Sequence, residues 1–162
     1  DFKMAFRPGE WQGSNLTPRH QAAGLTAGNA IDRILDATVA QGGPLKRDKI
    51  WFFGSARYFS VNNFIANTFF DDGSRGVDDQ FIKSALARVT WQVSQKNKFA
   101  VYYDRALRLR AAAMGANTDP RTASVVWNTP IFATGSAKWT STLTSSLLLE
   151  TGFSFNRERY DN

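Results

Sequence analysis

The sequence predicts an all-β protein of about seven antiparallel, up-and-down strands that form part of a larger transmembrane β-barrel. Three observations support this. Apolar and polar residues alternate along runs that exceed the usual soluble strand of about 5–6 residues. Short polar turns alternate with long polar loops, and aromatic residues cluster near the short turns.

Composition indicates a folded chain without thiol chemistry. Of the 162 residues, 43% are hydrophobic, and there is no cysteine for a disulfide framework or a thiolate metal site. No apolar run reaches the roughly 18–20 residues of a membrane-spanning helix, and the mean hydropathy is −0.35, which excludes a helical membrane protein. Barrel strands expose only alternate residues to lipid, so a β-barrel remains compatible with these values.

The chain is basic, with a formal net charge of +6 and a pI of about 9.9. Lysine and arginine are spread along the chain, and no nucleic-acid-binding motif accompanies them, so we expect no nucleic-acid partner. The first residue is Asp1 and no signal segment follows it, so we expect the targeting information to lie outside this sequence.

The amino-terminal part is predicted as a strand at 1–8 and a long loop at 9–34. Residues 2–7 alternate as in a strand, whereas most of the following segment has no strong period. Apolar residues between 22 and 35 share a helical face, which predicts a helical turn or two there. The remaining region, 35–162, is predicted to hold three turn-linked strand pairs.

Three polar segments predict short turns: Lys46–Lys49, Ser94–Asn97 and Ser141–Thr144. Their starts are evenly spaced, which predicts a repeated two-strand unit. The alternating runs cover 37–42, 50–61, 80–93, 99–110, 131–140 and 147–156. Polar stretches at 64–79 and 111–122 predict long loops. Pro130 predicts a bulge or a stretch beyond regular pairing, because proline cannot donate to a ladder.

The two sides of the strands predict different surroundings. Four aromatic residues near the short turns predict an interfacial girdle: Trp51, Trp91, Phe99 and Trp139. Polar residues on the other side predict a lumen that contacts a plug or substrate: Arg57, Arg88, Tyr102, Asp104, Arg108, Lys138 and Glu150. The competing interpretation is a soluble sandwich, in which the same aromatic residues would form the core.

Basic residues near one presumed outer loop suggest contact with the outer leaflet. Arg105 falls on the apolar side of its strand, and we expect it to lie close to the membrane interface. Together with Arg108 and Arg110 it predicts a site for the phosphates of lipopolysaccharide.

The segment from Gly42 to Ser55 joins a Gly-Gly-Pro strand end, a basic-acidic turn and an aromatic run closed by Gly54. It resembles a segment early in the barrel of TonB-dependent receptors of the Oar-like, carboxypeptidase-regulatory-like-domain type. Looser likenesses follow at 88–91 and 98–103, and the resemblance extends over roughly positions 37–160.

The resemblance implies location in a Gram-negative outer membrane and energised uptake, or export, of a bulky substrate. Contact with TonB would come from parts that are not recognisable here, since neither a plug domain, a TonB box nor a closing strand is found in the sequence. Such transporters have about 22 strands, so seven strands would be a fragment of the wall. The remaining wall, the plug, the lipid and lipopolysaccharide are the partners that the resemblance implies.

Catalytic chemistry has little support in the sequence. His20 is the single histidine, so neither a histidine-based triad nor a typical zinc site can be assembled, and we expect no enzyme activity and no cofactor. Four aspartates flank a glycine-containing loop and are candidates for calcium ligands, but their spacing fits no EF-hand: Asp71, Asp72, Asp78 and Asp79. A solvated loop is the simpler interpretation.

Three functions are compatible with the sequence. The first is a section of a TonB-dependent transporter barrel for an unidentified substrate. The second is a structural or adhesion barrel that binds partners through long outer loops, which an upstream plug domain would argue against. The third is a soluble β-sandwich binding module, which would need no detergent.

Overall fold

The alternating segments of the sequence form seven strands in a computed structural model that describes residues 1–161. The strands are β1 (Phe2–Pro8), β2 (Ala30–Lys46), β3 (Ile50–Phe69), β4 (Arg75–Gln92), β5 (Asn97–Arg110), β6 (Trp127–Thr144) and β7 (Leu147–Asp161). Short helical elements occupy the two longest connections: 3-10 turns at Gly9–Trp11 and Pro120–Thr122, and helix α1 at Pro18–Ala22.

All seven strands belong to one open antiparallel sheet in the order β1-β2-β3-β4-β5-β6-β7. Each strand pairs with its neighbour in sequence, which confirms the predicted up-and-down arrangement of seven antiparallel strands. The edges of the sheet are β1 and β7. Strands β2 to β7 are 14 to 20 residues long, well beyond the usual strand of about 5–6 residues.

The short connections lie at one end of the sheet, and two of the three occur where the sequence predicts them. The third prediction is wrong, because Ser141–Thr144 is the end of β6 and the turn is made by Ser145 and Ser146. Thr142 and Thr144 still pair with β7, and the Thr144 Oγ1 accepts a hydrogen bond from the Ser146 N–H at 3.3 Å. The even spacing of the turns therefore does not hold.

The opposite end of the sheet is called the distal end below. The predicted loop at 64–79 is mostly strand, because Phe64 pairs with Val77 and Phe69 pairs with Arg75, which leaves only a tight connection between them. The predicted loop at 111–122 is a real connection, which continues to residue 126. The pairing of β6 with both β5 and β7 shifts its register around Pro130, which agrees with the interruption of regular pairing predicted there.

The amino-terminal predictions are partly correct. Strand β1 lies where it is predicted, but β2 begins at Ala30 because residues 30–34 already pair with β3. The helical turn lies at Pro18–Ala22 and not within 22–35. Thr17 caps it through a hydrogen bond from the His20 N–H, and Pro18 at the first helical position has a φ suited to a helix start.

The sheet is largely uncovered on both faces. The buried apolar side chains of residues 1–161 are Ala66, Ala106, Ala133 and Pro120. The chain exposes 11022 Å² of accessible surface, whereas a compact monomer of 18.1 kDa exposes about 8,100 Å². No helix within the described residues has the length and apolar character that crossing a membrane requires.

Candidate functional site: the two faces of the sheet and its distal end

One face of the sheet, called the apolar face, has a central band without charge. The residues of this band on β3 to β7 are Phe52, Gly54, Ala87, Val89, Trp91, Phe99, Val101, Tyr103, Gly135, Ala137, Trp139, Leu149, Thr151, Phe153 and Phe155. Successive residues of a strand point to opposite faces, so the register places these side chains on one side. Many of them are small or aromatic, and most of the aromatic ones are solvent-exposed.

Aromatic residues mark the short-turn edge of this band. Phe99 stacks on Trp139 with ring centroids 6.1 Å apart, and Trp91 lies directly across from Phe99. The Trp139 Nε1–H donates to the Asn97 Oδ1 at 3.0 Å, so the polar atom of the indole is satisfied at the turn end. The register places Trp51 on the opposite face, so three of the four predicted girdle residues share this edge.

Basic residues mark the distal edge of the band. Arg105 and Arg157 flank Ala133 in one row of the sheet, and Lys83 and Arg159 lie in the next row. The predicted cluster of Arg105 with two further arginines is not formed. Position 105 is odd and positions 108 and 110 are even, so the strand alternation puts them on opposite faces.

The other face, called the polar face, holds all seven predicted lumen residues: Arg57, Arg88, Tyr102, Asp104, Arg108, Lys138 and Glu150. Arg88 lies directly across from Tyr102, and together with Lys138 they line a shallow cavity of about 270 Å³. Their contact with a plug or a substrate stays a prediction.

Cross-strand ion pairs distinguish the polar face from the apolar band. Arg57 donates two hydrogen bonds to the carboxylate of Asp36, at 2.8 and 2.7 Å. Lys138 contacts Glu150 at 2.8 Å. Each pair joins two neighbouring strands and is about half exposed to solvent. Its contribution to the free energy of unfolding is therefore small, and its main effect is to fix the positions of the paired side chains.

The ion pair between Arg110 and Asp78 is also on the polar face, near the distal end, and Asp78 is buried. The sequence analysis does not assign Asp36, Asp78 or Arg110 to the polar face, since it names Asp78 only as a calcium candidate and Arg110 only as a lipopolysaccharide candidate. Asp36 and Asp78 fall outside the predicted alternating runs, so no period assigns them to a face.

Arg108, another of the predicted lumen residues, lies over the ring of Trp127, with its guanidinium carbon 4.9 Å from the ring centroid.

Three of the four aspartates predicted as calcium ligands have protein partners for their side chains: Asp71, Asp72 and Asp78. Asp72 accepts hydrogen bonds from the Ser74 backbone N–H at 2.9 Å and from its hydroxyl at 2.6 Å, and the hydroxyl bond, with the backbone bond, lowers the Asp72 pKa. Asp71 pairs with Arg121 at 2.8 Å. Within residues 1–161 no group of three or more acidic or histidine side chains is arranged to hold a metal ion.

Arg121 braces the distal connection between β5 and β6. Its guanidinium contacts Asp119 at 2.7 Å and Asp71 at 2.8 Å, and the hydrogen bond from Arg121 lowers the pKa of Asp119. A carboxylate with a lowered pKa in the folded state stabilises that state above its ordinary pKa of about 3.9. The ion pair between Arg121 and Asp119 is lost as the pH falls through the lowered pKa of Asp119.

We therefore expect this connection to loosen only in acid below about pH 4. The chain has no cysteine, so a spin label on Ala123→Cys reports the connection alone. Its spectrum is expected to stay immobilised from neutral pH to about pH 4 and to become mobile below that. The same label combined with Arg121→Gln should be mobile at every pH, and a transition near pH 6 would contradict the assignment.

Asn67 joins three distal segments. Its Oδ1 accepts hydrogen bonds from the N–H of Thr26 at 2.9 Å and of Ala27 at 3.1 Å, and its Nδ2 donates to Gly24 at 2.8 Å and Asn117 at 2.9 Å. Asn67 has a φ of 52°, a left-handed conformation that asparagine tolerates better than most residues. The 9–29 segment, the end of β3 and the β5–β6 connection are thus held together at one residue.

A distal cavity of about 540 Å³ lies between the 9–29 segment and the start of β4, with Arg75 in its wall. The Arg75 Nη2 donates to the Gly28 carbonyl at 2.5 Å, and the guanidinium lies over the ring of Phe64 at 4.6 Å. The Arg75 Nε is buried and has no partner within residues 1–161. Burial lowers the pKa of this guanidinium, and no side-chain partner offsets that effect.

The geometry thus gives one face with an uncharged central band, one face with ion pairs along its strands, and a distal end that holds a cavity. Comparisons with protein-family models, with curated proteins and with solved structures find no match to this chain.

Proposed function

We propose that this sheet is part of the wall of an outer-membrane β-barrel of the TonB-dependent receptor type, whose activity is energised uptake of a substrate. The observation that supports this most directly is the difference between the two faces. The central band of the apolar face has no charge, whereas the polar face has ion pairs such as Lys138–Glu150 at the same height.

A barrel wall in contact with lipid hydrocarbon requires that its outer face carry no charge near the bilayer midplane, whereas its inner face can be charged. An arginine or lysine on the lipid side costs about 2–4 kcal/mol at the bilayer midplane and roughly 0–1 near the interface. The apolar face has its nearest basic residues at the distal edge of the band, where Arg105 and Arg157 lie, and an aromatic edge at the other side. This order matches a lipid-facing band between two interfaces.

The shape of the sheet also supports a barrel wall. All neighbouring strands are antiparallel, three short turns lie at one end, and the two long connections, the tight β3–β4 connection and the cavity lie at the other. Outer-membrane barrels have short periplasmic turns and longer extracellular loops, so the distal end corresponds to the cell surface. Edge strands β1 and β7 would need pairing partners inside a membrane, because unsatisfied backbone groups are costly there.

The transport part of the proposal rests on the polar face and on the resemblance of the Gly42–Ser55 segment. A barrel of about 22 strands encloses a plug, and polar side chains such as Arg88 and Tyr102 would contact it or the passing substrate. An adhesion barrel without a plug needs no such contact.

A photo-crosslinking amino acid at Arg88, with Ala87 as the matched neighbour, tests the proposal in the full gene product in its native membrane. Cross-links from position 88 to peptides outside residues 1–162 of the same polypeptide are expected, because a plug would fill the lumen. Position 87 is expected to link to lipid only. Protein cross-links from position 87, or none from position 88, would contradict a plugged transporter.

A further inference from the structure

We propose that the distal cavity binds the oxyanion of a small molecule, a carboxylate or a phosphate group, through the guanidinium of Arg75 and neighbouring N–H and O–H donors. The proposal goes beyond transport and does not rest on it, because it depends only on how the 9–29 segment packs on β2, β3 and β4.

Arg75 supplies a positive charge that the cavity does not neutralise. No acidic side chain is part of the cavity wall. The guanidinium is fixed by its bond to the Gly28 carbonyl and by its position over Phe64. A fixed guanidinium presents its donors in a planar arrangement that suits carboxylate and phosphate oxygens.

Two amide side chains in the wall use their oxygen atoms for the backbone. The Gln12 Oε1 accepts from the Ile31 N–H at 2.7 Å, and the Asn29 Oδ1 accepts from the Ala66 N–H at 2.8 Å. A backbone N–H can bond only to an acceptor, so these bonds fix which amide atom is oxygen. Each side chain is therefore left with an NH₂ group as its available donor.

A histidine and a serine in the wall also accept a hydrogen bond from the backbone and keep one hydrogen atom that they can donate. The His20 Nδ1 accepts from the Thr17 N–H at 3.3 Å, and a neutral imidazole that accepts at Nδ1 carries its hydrogen on Nε2. The Ser14 Oγ accepts from the Leu16 N–H at 3.2 Å, which leaves its hydroxyl hydrogen as a donor. The side chains of the wall thus offer mainly donors, which favours an anion over a cation.

The size of the cavity limits the ligand. A volume of about 540 Å³ lies within the roughly 300–1,000 Å³ of small-molecule sites, so an organic acid or a phosphorylated metabolite fits and a polymer does not. Both classes present the same oxyanion chemistry, and separate probes distinguish them.

Calorimetry on the full-length protein in detergent tests the proposal, with succinate and inorganic phosphate as anionic probes and maltose as the neutral control. Saturable binding of at least one anion and none of maltose is expected. Arg75→Gln removes the positive charge of the guanidinium and is expected to weaken binding about tenfold or more, because a charge-assisted bond is lost. Arg19→Gln removes a nearby charge that is not in the wall and is expected to leave binding unchanged.

Binding of succinate alone would assign the site to carboxylates, and binding of phosphate alone would assign it to phosphorylated compounds. Binding of neither anion, binding of maltose, or equal losses in Arg75→Gln and Arg19→Gln would overturn the proposal. If hydrogen exchange shows that Arg75→Gln disturbs β3 and β4, His20→Asn decides. Its amide oxygen can accept from Thr17, but the distal N–H is lost, so binding should weaken about two- to tenfold, and no change would overturn the proposal.

Discussion

Replacing Ala87 with arginine is expected to cost about 2–4 kcal/mol of stability in a bilayer, whereas arginine at the neighbouring Leu86 is expected to be tolerated. Ala87 lies in the middle of the apolar band between Gly54 and Tyr103. Leu86 lies on the polar face directly across from Asp104, which offers a new arginine an opposite charge. The two variants add the same side chain to adjacent residues of one strand, so they differ in the face that receives the charge.

The measurement is urea-induced unfolding of the full-length protein in lipid vesicles, followed by tryptophan fluorescence. The midpoint for Ala87→Arg should fall well below that of Leu86→Arg, which should stay close to the unsubstituted protein. Equal midpoints for the two variants would mean that the two faces have similar surroundings, which a membrane wall cannot have.

The second large effect is expected for Asn67→Ala, which should release the distal 9–29 segment. The substitution removes the hydrogen bonds to Thr26, Ala27, Gly24 and Asn117, and it leaves backbone N–H groups without an acceptor. At about 0.5–1.5 kcal/mol for each of these four bonds, the local stability of the distal end should fall by roughly 2–6 kcal/mol.

Hydrogen exchange measured by mass spectrometry tests this effect peptide by peptide. The amides of Thr26 and Ala27 should exchange about a hundredfold faster in Asn67→Ala, while the centre of β4 stays protected. Asn67→Gly is the control for backbone strain, since glycine adopts a positive φ without cost, and it should lose nearly as much protection. Unchanged exchange in both variants would show that Asn67 does not hold the distal end.

The central part of each strand could be predicted because its information is local. Residues 50–61 and 99–110 follow a period of two, with exceptions such as Arg105, and this period assigns each residue to a face. All seven predicted residues of the polar face are therefore found together, and so are Trp91, Phe99 and Trp139. Trp51 lies on the opposite face because it is adjacent in sequence to Phe52, and successive residues of a strand point to opposite faces.

The distal end could not be predicted because its order depends on contacts between distant segments. Residues 63–69 and 75–79 are rich in asparagine and aspartate, which locally favour a loop. In the folded chain Asp78 pairs with Arg110 and Asn67 bonds to the 24–27 segment, so strands β3 and β4 continue through a polar sequence. The periodicity of the sequence gives no information about these contacts between distant residues.

The most direct test of the membrane-wall proposal is a cysteine scan of positions 85–90 in the full gene product in its native membrane. Each cysteine is labelled with a fluorophore, and nitroxides attached to lipid chains are used as quenchers. Strong quenching at 85, 87 and 89 and weak quenching at 86, 88 and 90 is the expected result. Quenching that does not alternate, or recovery of the protein outside the membrane fraction, would contradict a lipid-facing wall.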